Sequence, residues 1–345
     1  MAQATVNKTT VNDDWRRWIA ENLSLGGDPQ GLFDILVANG VAESEAAHEM
    51  GLALASPYIL GARQAAGRLS NRLKKHDWVL DIHRVLNRQN PQGAVIERRH
   101  QLTRDEFYQN YYLRNKPVII TGMLEDWPAR TKWSLAFLKE QFGDREVQVQ
   151  MGRNQDAAYE IKSDQFRKLM TLRDYIGMIE SAGETNDFYM TANNSSSNRV
   201  ALKELWQDIG RLPEYLNAES PDDGFLWLGP AGTRTPFHHD LTNNFMAQVM
   251  GRKLIKLIPT CELPYVYNDR HCFTPVDGHS IDYERFPLMR NVQILECILS
   301  PGEILFLPVG CWHYVEGLEV SITVSAINFQ LENDYSAFYT TYYDV

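Results

Sequence analysis

The chain has 345 residues, 44% of them hydrophobic and 23% charged, which is enough for a buried core and too apolar for a disordered chain. Acidic residues exceed basic ones, 44 against 34, for a net charge of −10; this argues against a protein whose main task is gripping nucleic acid. Four cysteines, Cys261, Cys272, Cys297 and Cys311, show no CxxC spacing, which excludes a disulfide scaffold and a zinc finger and favours a reducing compartment.

The opening MAQATVNKTTVNDDW has no basic patch followed by an apolar block, so no signal peptide is expected and the expected localisation is cytoplasmic. The longest apolar stretch, near Gly51–Ala62, is interrupted by Ser56 and Pro57 and is too short to span a bilayer. From Asp14 to Asn87 apolar residues recur at helical spacing: Trp15, Trp18, Ile19, Leu23, then Leu32, Ile35, Leu36. Ala42–Ala55 and the Ala/Arg-rich run from Pro57 to Leu86 continue the pattern, so residues 1–94 are expected to form a module of about four helices. Arg63, Arg68, Arg72, Lys74, Lys75, Arg84 and Arg88 stand there against Asp77 and Asp81. Such a basic face either is solvated or attracts an acidic peptide or RNA. Trp15 and Trp18 read as core or interface packing. Asn87–Ala94, NRQNPQGA, is a turn-rich connector.

The texture then changes. KPVIITG, Lys116–Gly122, predicts a buried strand between Pro117 and Gly122. Thr131–Phe142 and Leu172–Ser181 predict helices, and Glu146–Met151 a strand. Short strands follow over Phe225–Leu228, Asn244–Val249, Lys253–Ile258, Val292–Leu299, Glu303–Leu307 and Ser321–Phe329. Short strands between turn signals predict an all-β sandwich or barrel with few helices, spanning 95–345.

The chemistry concentrates in GTRTPFHHDLTNNFMAQ, residues 232–248. His238 and Asp240 form an H-x-D pair, and residues two apart on a strand share a face. A third ligand would complete a two-histidine, one-carboxylate triad, the set used by non-heme Fe(II) oxygenases. His313, in Cys311-Trp312-His313-Tyr314, is that candidate. His239 is an alternative, although only His238 has the i,i+2 relation to Asp240. His271 and His279 read as exposed loop residues. In Ser321–Phe329, Ile322, Val324 and Ala326 face a core, and Asn328 falls on the same face. Its amide there must find partners, unless it merely caps the strand end. Lys253 shares a face with Ile255 and Leu257, and Lys256 shares the other with Leu254 and Ile258. A buried lysine demands an anion, but parity does not choose between the two.

Residues 95–330 closely resemble the JmjC/cupin-like oxygenases (cupin_8) that use Fe(II) and 2-oxoglutarate. The nearest likenesses are the JmjC-only protein hydroxylases and the asparaginyl hydroxylase that inhibits hypoxia-inducible factor. The matching blocks are KPVIITG, TPFHHDLTNNFMAQVMGRKLIKLIP, DYERFP, LSPGEILFLPVGCWHYVEGL and SITVSAINF. The resemblance implies a double-stranded β-helix, or jelly roll, with flanking helices and the N-terminal helical domain outside it. It implies that His238, Asp240 and His313 hold Fe(II). Lys253, fifteen residues after the first metal histidine, and Thr235 would hold the distal carboxylate of 2-oxoglutarate. Asn244 and Asn328 match amides near the metal and co-substrate, and Tyr189 matches a tyrosine reaching the co-substrate. The implied reaction is hydroxylation of a protein or peptide side chain, with O2 consumed and succinate and CO2 released.

Phe329-Gln330 departs from relatives that carry aromatic residues there. The chain ends at Val345, so the C-terminal helices that dimerise some relatives are expected to be absent. Homodimerisation through the N-terminal helices is left open, and those helices match no module of assigned function. The competing readings are demethylation, hydroxylation of a small metabolite or natural-product peptide, and a non-catalytic metal-binding cupin scaffold. No membrane partner is expected, and the acidic excess after residue 100 would steer a basic peptide or cationic side chain inward.

Overall fold

The computed structural model describes residues 10–192, 195–220, 224–268 and 270–338. The chain divides into two compact units after Ile82. The composition shift had pointed to 94 instead. The division falls inside one long helix, which carries the chain through the point where the packing changes.

The first unit is helical. α1 (Asp13–Ser24) is capped by the Asn12 side chain, and α2 (Pro29–Ala38) by Asp28 with Pro29 at its first position. Both are standard helix starts. α3 is Glu43–Ala55 and α4 is Pro57–Gln89. Ile19, Leu23, Leu32, Leu36, Ala46 and Met50 form the core of α1–α3. Trp15 and Trp18 pack edge-to-face at 5.4 Å beside that core. α4 has no buried residue along its 33 residues. No helix among the described residues is long and apolar enough to cross a membrane.

Among the described residues the second unit is built on thirteen strands. β1 is Glu97–His100, β2 Val118–Thr121, β3 Glu146–Met151, β4 Arg167–Thr171, β5 Phe188–Tyr189, β6 Phe225–Gly229 and β7 Arg234–His238. β8 is Asn244–Met250, β9 Lys253–Ile258, β10 Leu295–Leu299, β11 Ile304–Leu307, β12 Trp312–Gly317 and β13 Ser321–Ala326. A six-stranded sheet runs β1-β2-β11-β8-β13-β6, a four-stranded sheet runs β10-β9-β12-β7, and β4-β3-β5 form a third. The strands β6–β13 thus make the eight-stranded jelly roll, four in each main sheet, and the expected fold class holds.

Within the jelly roll, both main sheets are covered on both faces except at β10, where Glu296 and Ile298 are exposed. Between them lie Met246, Leu305 and Leu307 from one sheet and Ile255, Leu257 and Val315 from the other. The outer face of the larger sheet carries Phe245, Ala247, Ile322 and Val324 against the helical segments of 102–216. The outer face of the smaller sheet packs Phe237, Trp312 and Tyr314 against the 266–289 segment.

Three elements differ from expectation. The helix expected over 131–142 is two, Ala129–Lys132 and Leu135–Phe142, because Trp133 turns extended and Ser134 caps the second through its hydroxyl. Val292–Leu299 is strand only from Leu295, after a 3-10 turn over Pro287–Asn291. The last strand stops at Ala326 rather than Phe329. The basic run of α4 is partly committed: Arg84 Nε and Arg88 Nη2 each stand 2.9 Å from the Glu262 carboxylate, which is 1% exposed.

Candidate metal centre

β7 and β12 bring the histidines together. They pair antiparallel, with His313 opposite His238 and Val315 opposite Thr235. One residue of β12, Tyr314, therefore faces two of β7, a β-bulge at Pro236 and Phe237. β7 is an edge strand, where a proline can sit. The bulge matters because Thr235 and His238 are three apart and would otherwise face opposite sides. Here both line one cavity, while Phe237 turns outward. Asp240 follows just past the end of β7.

His238, Asp240 and His313 offer ligand atoms that all lie within 4.8 Å of one another, and no other such group occurs among the described residues. His238 Nε2 is 3.7 Å from Asp240 Oδ1, and His313 Nε2 is 3.9 Å from Asp240 Oδ2. The other ring nitrogens are taken up by backbone carbonyls: His238 Nδ1 meets Pro236 O at 2.8 Å, and His313 Nδ1 meets Cys311 O at 3.2 Å. A proton on each Nδ1 leaves each Nε2 lone pair aimed at the shared point, the usual outer support of metal-bound histidine. Burial, then the nearby His238, lowers the His313 pKa and keeps that ring neutral. Burial raises the Asp240 carboxyl, but His313 and His238 outweigh it, so Asp240 lies below its ordinary value. A neutral imidazole at His313 and an ionised carboxylate at Asp240 suit a divalent cation.

His239 is buried, packs edge-on to Trp312 at 4.8 Å and stands outside the ligand cluster. It lines the cavity wall without pointing an atom at the shared point.

The cavity has a volume of about 480 Å³. Lys253 reaches into it from β9 and is 1% exposed. Its Nζ donates to the Tyr189 hydroxyl at 3.0 Å, and no carboxylate pairs with it among the described residues. Burial pulls its pKa down to about 7. A buried ammonium without a counter-charge fits an anionic ligand. Lys256 faces away, donating to Gly278 O at 2.8 Å, with Glu296 at 3.7 Å. Tyr189 is buried, which raises its pKa and keeps the hydroxyl protonated. Thr235 lines the same wall. Asn244 Nδ2 stands 3.4 Å from Asp240 Oδ2, and its buried Oδ1 has no hydrogen-bond partner.

Asn328 is not in this cavity. It sits in a separate hollow behind the larger sheet, with Ala326, Val324 and Phe245, and donates to Asn217 O at 3.2 Å. The face it shares with Ile322 and Val324 does point to a core, but to the helical one. The jelly-roll interior receives Thr323, Ser325 and Ile327 instead. His271 also differs from expectation, since it is half-buried and lines the metal cavity. His279 is exposed, as expected, and bonds Glu316 at 3.1 Å.

Two lining residues escaped the sequence reading. Trp227 packs 5.9 Å from Tyr189 and donates to Ser325 Oγ at 2.9 Å; its place on an alternating strand was a usable signal. Glu160 lies in a stretch without periodicity and gave none. It is 7% exposed, its Oε2 has no hydrogen-bond partner, and Arg153 Nη2 stands 3.8 Å away.

Residues 104–335 match a protein-family model described as a cupin-like domain. The chain is 33% identical over 241 residues to lysine-specific demethylase 8 of Xenopus tropicalis, an alignment covering 67% of this chain and 52% of the relative. It is 35% identical over 237 residues to lysine-specific demethylase JMJ30 of Arabidopsis thaliana, covering 67% and 54%. It is 25% identical over 239 residues to tRNA wybutosine-synthesizing protein 5 of Gallus gallus, covering 65% and 74%. The chain spans about half the length of the two demethylases.

Proposed function

The chain belongs to the cupin-like JmjC family, and on that premise we propose that it is an Fe(II)- and 2-oxoglutarate-dependent oxygenase that hydroxylates a protein or peptide side chain. The observation that carries the reading is one cavity holding both the His238–Asp240–His313 cluster and a buried, carboxylate-free Lys253. The donor set suits Fe(II) and leaves positions for co-substrate and O2. When bound, the metal with 2-oxoglutarate supplies the oxidising power, releasing succinate and CO2.

The chain's own residues do the rest. Lys253 holds the far carboxylate of the co-substrate by a charge-assisted pair, and the Tyr189 hydroxyl fixes the Lys253 ammonium from the other side. Thr235 offers a hydroxyl on the same wall. Asn244 orients Asp240, and its free amide oxygen is available to a bound group. The apolar walls from Met246, Leu307 and Val315 exclude water from the reacting C–H bond. Glu160 turns a buried carboxylate toward the cavity, and Trp227 offers a ring face. A cationic side chain satisfies both, so a lysine or arginine of the substrate is the group that enters.

A second reading is removal of an N-methyl group, favoured by the names of the two demethylases. It starts from the same hydrogen abstraction. One experiment separates them: incubate the Fe(II)-loaded chain with 2-oxoglutarate and a library of lysine- and arginine-containing peptides, methylated and not, and read masses. One added oxygen supports hydroxylation. Loss of a methylene unit with formaldehyde release supports demethylation. A protein that binds Mn(II) but neither 2-oxoglutarate nor any peptide would leave only the metal-binding scaffold reading.

A further inference from the structure

A second hollow adjoins the metal cavity. This groove has a volume of about 590 Å³ and shares Glu160, Ile161 and Phe273 with the metal cavity. Its charged residues fall into two groups. In the first, charges offset one another. Arg234 Nε stands 3.4 Å from Glu316 Oε1, and its Nη2 is 3.2 Å from His279 Nε2. Glu160 Oε2 lies 3.8 Å from Arg153 Nη2 but makes no hydrogen bond, so its charge is only partly offset. The second group has no charged partner. Arg270 and Arg285 are both exposed on the groove, and neither guanidinium makes an ion pair or hydrogen bond among the described residues, although that of Arg285 lies over the Phe286 ring at 5.0 Å. Among the described lining residues only Asp277 stands against them, its Oδ1 accepting from the His279 backbone N–H at 2.9 Å.

The groove is therefore net cationic, on a chain of net charge −10. A cationic hollow on an acidic protein, sharing a wall with the reaction cavity, is a selective feature rather than a reflection of bulk composition. We propose that the groove holds the stretch of a peptide substrate next to the reacting residue, and that Arg270 and Arg285 select an acidic side chain there. The inference rests on the reading of the chain as a peptide oxygenase. It adds a two-part recognition rule: a cationic residue enters the cavity toward Glu160, and an aspartate or glutamate a few residues away lies along the groove. An RNA strand fits less well, because phosphate recognition needs a track of cations, and among the described residues this hollow has two without a charged partner, beside an acidic residue.

The test uses the full chain. Fe(II)-loaded protein turns over a peptide library with a fixed central lysine or arginine and randomised flanks, and products are sequenced by mass spectrometry. In parallel, the Mn(II)-loaded protein with 2-oxoglutarate binds labelled peptides in an anisotropy assay. Aspartate or glutamate should be enriched among products at a fixed offset from the centre. The double charge reversal Arg270→Glu/Arg285→Glu should raise the KM for the acidic peptide roughly tenfold, the scale of two exposed ion pairs. A peptide with lysine at that offset should recover the loss. The 2-oxoglutarate affinity, read separately in the Mn(II) form, should not move. Products without charge preference, or a preference that survives the reversal, overturn the groove proposal and leave the oxygenase reading standing. Binding of an RNA oligomer that the reversal abolishes, with no peptide retained, overturns it in favour of a nucleic acid. If no peptide is bound or modified, the peptide-oxygenase reading fails and the groove proposal falls with it.

Discussion

The replacement of Lys253 by methionine separates two effects that a simple loss of ligand would not. Lys253 is 1% exposed, and among the described residues its Nζ hydrogen-bonds only to the Tyr189 hydroxyl, at 3.0 Å. Burial lowers its pKa from 10.5 to about 7, which disfavours the charged form by on the order of 5 kcal/mol. The unfolded chain holds this proton up to about pH 10.5, the folded chain only up to about 7. Between those values the unfolded state binds more protons, so stability rises with pH across that window. Below about 7 both states are protonated and the folded state carries the whole cost. Lys253→Met removes the buried charge and keeps most of the volume. The ligand-free variant should therefore be more stable than the wild type at pH 6, by about 2–4 kcal/mol in a urea melt.

The same variant should lose 2-oxoglutarate. With the counter-charge gone, the far carboxylate is buried unpaired, at a cost of about 2–5 kcal/mol in affinity. Mn(II) affinity should stay within twofold, because Lys253 is not a ligand. In the wild type, binding above about pH 7 must take up a proton at Lys253, so 2-oxoglutarate affinity should fall as pH rises through that value. Lys256→Met is the comparison: its ammonium already donates to Gly278 O at 2.8 Å, and neither stability nor 2-oxoglutarate affinity should follow the Lys253 pattern. Calorimetry on the Mn(II) form and paired melts decide the matter. A Lys253→Met protein that is less stable without ligand and still binds 2-oxoglutarate normally would refute the account of Lys253 as a lone buried cation awaiting an anion.

The sequence was most legible where alternation was strict. Lys253–Ile258 is a strand with the bounds expected, and buried and half-buried residues alternate through Leu257. Parity narrowed the lysine choice to two and the family resemblance points to Lys253; the structure shows that its face is the jelly-roll interior. The same limit explains Asn328. A strand buried on one side can be read inward or outward from its apolar face, whereas β13 has apolar Ile322 and Val324 on the helical side and polar Thr323 and Ser325 inside. The interior of this barrel is polar near the metal, so the apolar face marked the wrong side. Thr235 and His238 show the converse: a parity rule would have separated them, and the bulge at Pro236 unites them. β1 (ERRH) and β4 (RKLMT) escaped notice because short, charged strands lack the alternation that marks a half-buried face. Glu160 escaped because nothing local distinguishes a buried carboxylate from an exposed one.

Three more expectations follow from the geometry. Asp240→Ala or His313→Ala should abolish Mn(II) binding in calorimetry, while His239→Ala should retain it, since His239 lies outside the cluster; metal loss in the last alone would reassign the ligand. Asn244→Ala should weaken 2-oxoglutarate binding to the Mn(II) form by roughly 1–2 kcal/mol, through the lost bond to Asp240, and Asn328→Ala should leave it unchanged. Gly229→Ala tests the support behind Lys253. A Cβ on Gly229 would meet Tyr189 Cδ2 at 2.5 Å, Tyr189 Cε2 at 2.8 Å and Thr233 Cγ2 at 2.9 Å. The Gly229 backbone is ordinary strand, so the methyl acts through crowding alone. Tyr189 has little room to retreat, with Trp227 at 5.9 Å and the Arg153 guanidinium at 5.2 Å from its ring. Crowding of this kind costs about 1–3 kcal/mol of stability, and here it should also carry the hydroxyl away from Lys253. The expected outcome is a folded protein with normal Mn(II) affinity and 2-oxoglutarate affinity reduced roughly tenfold, a change of about 1.4 kcal/mol. Unchanged 2-oxoglutarate affinity in a measurably destabilised protein would show that the Tyr189 hydroxyl does not position Lys253.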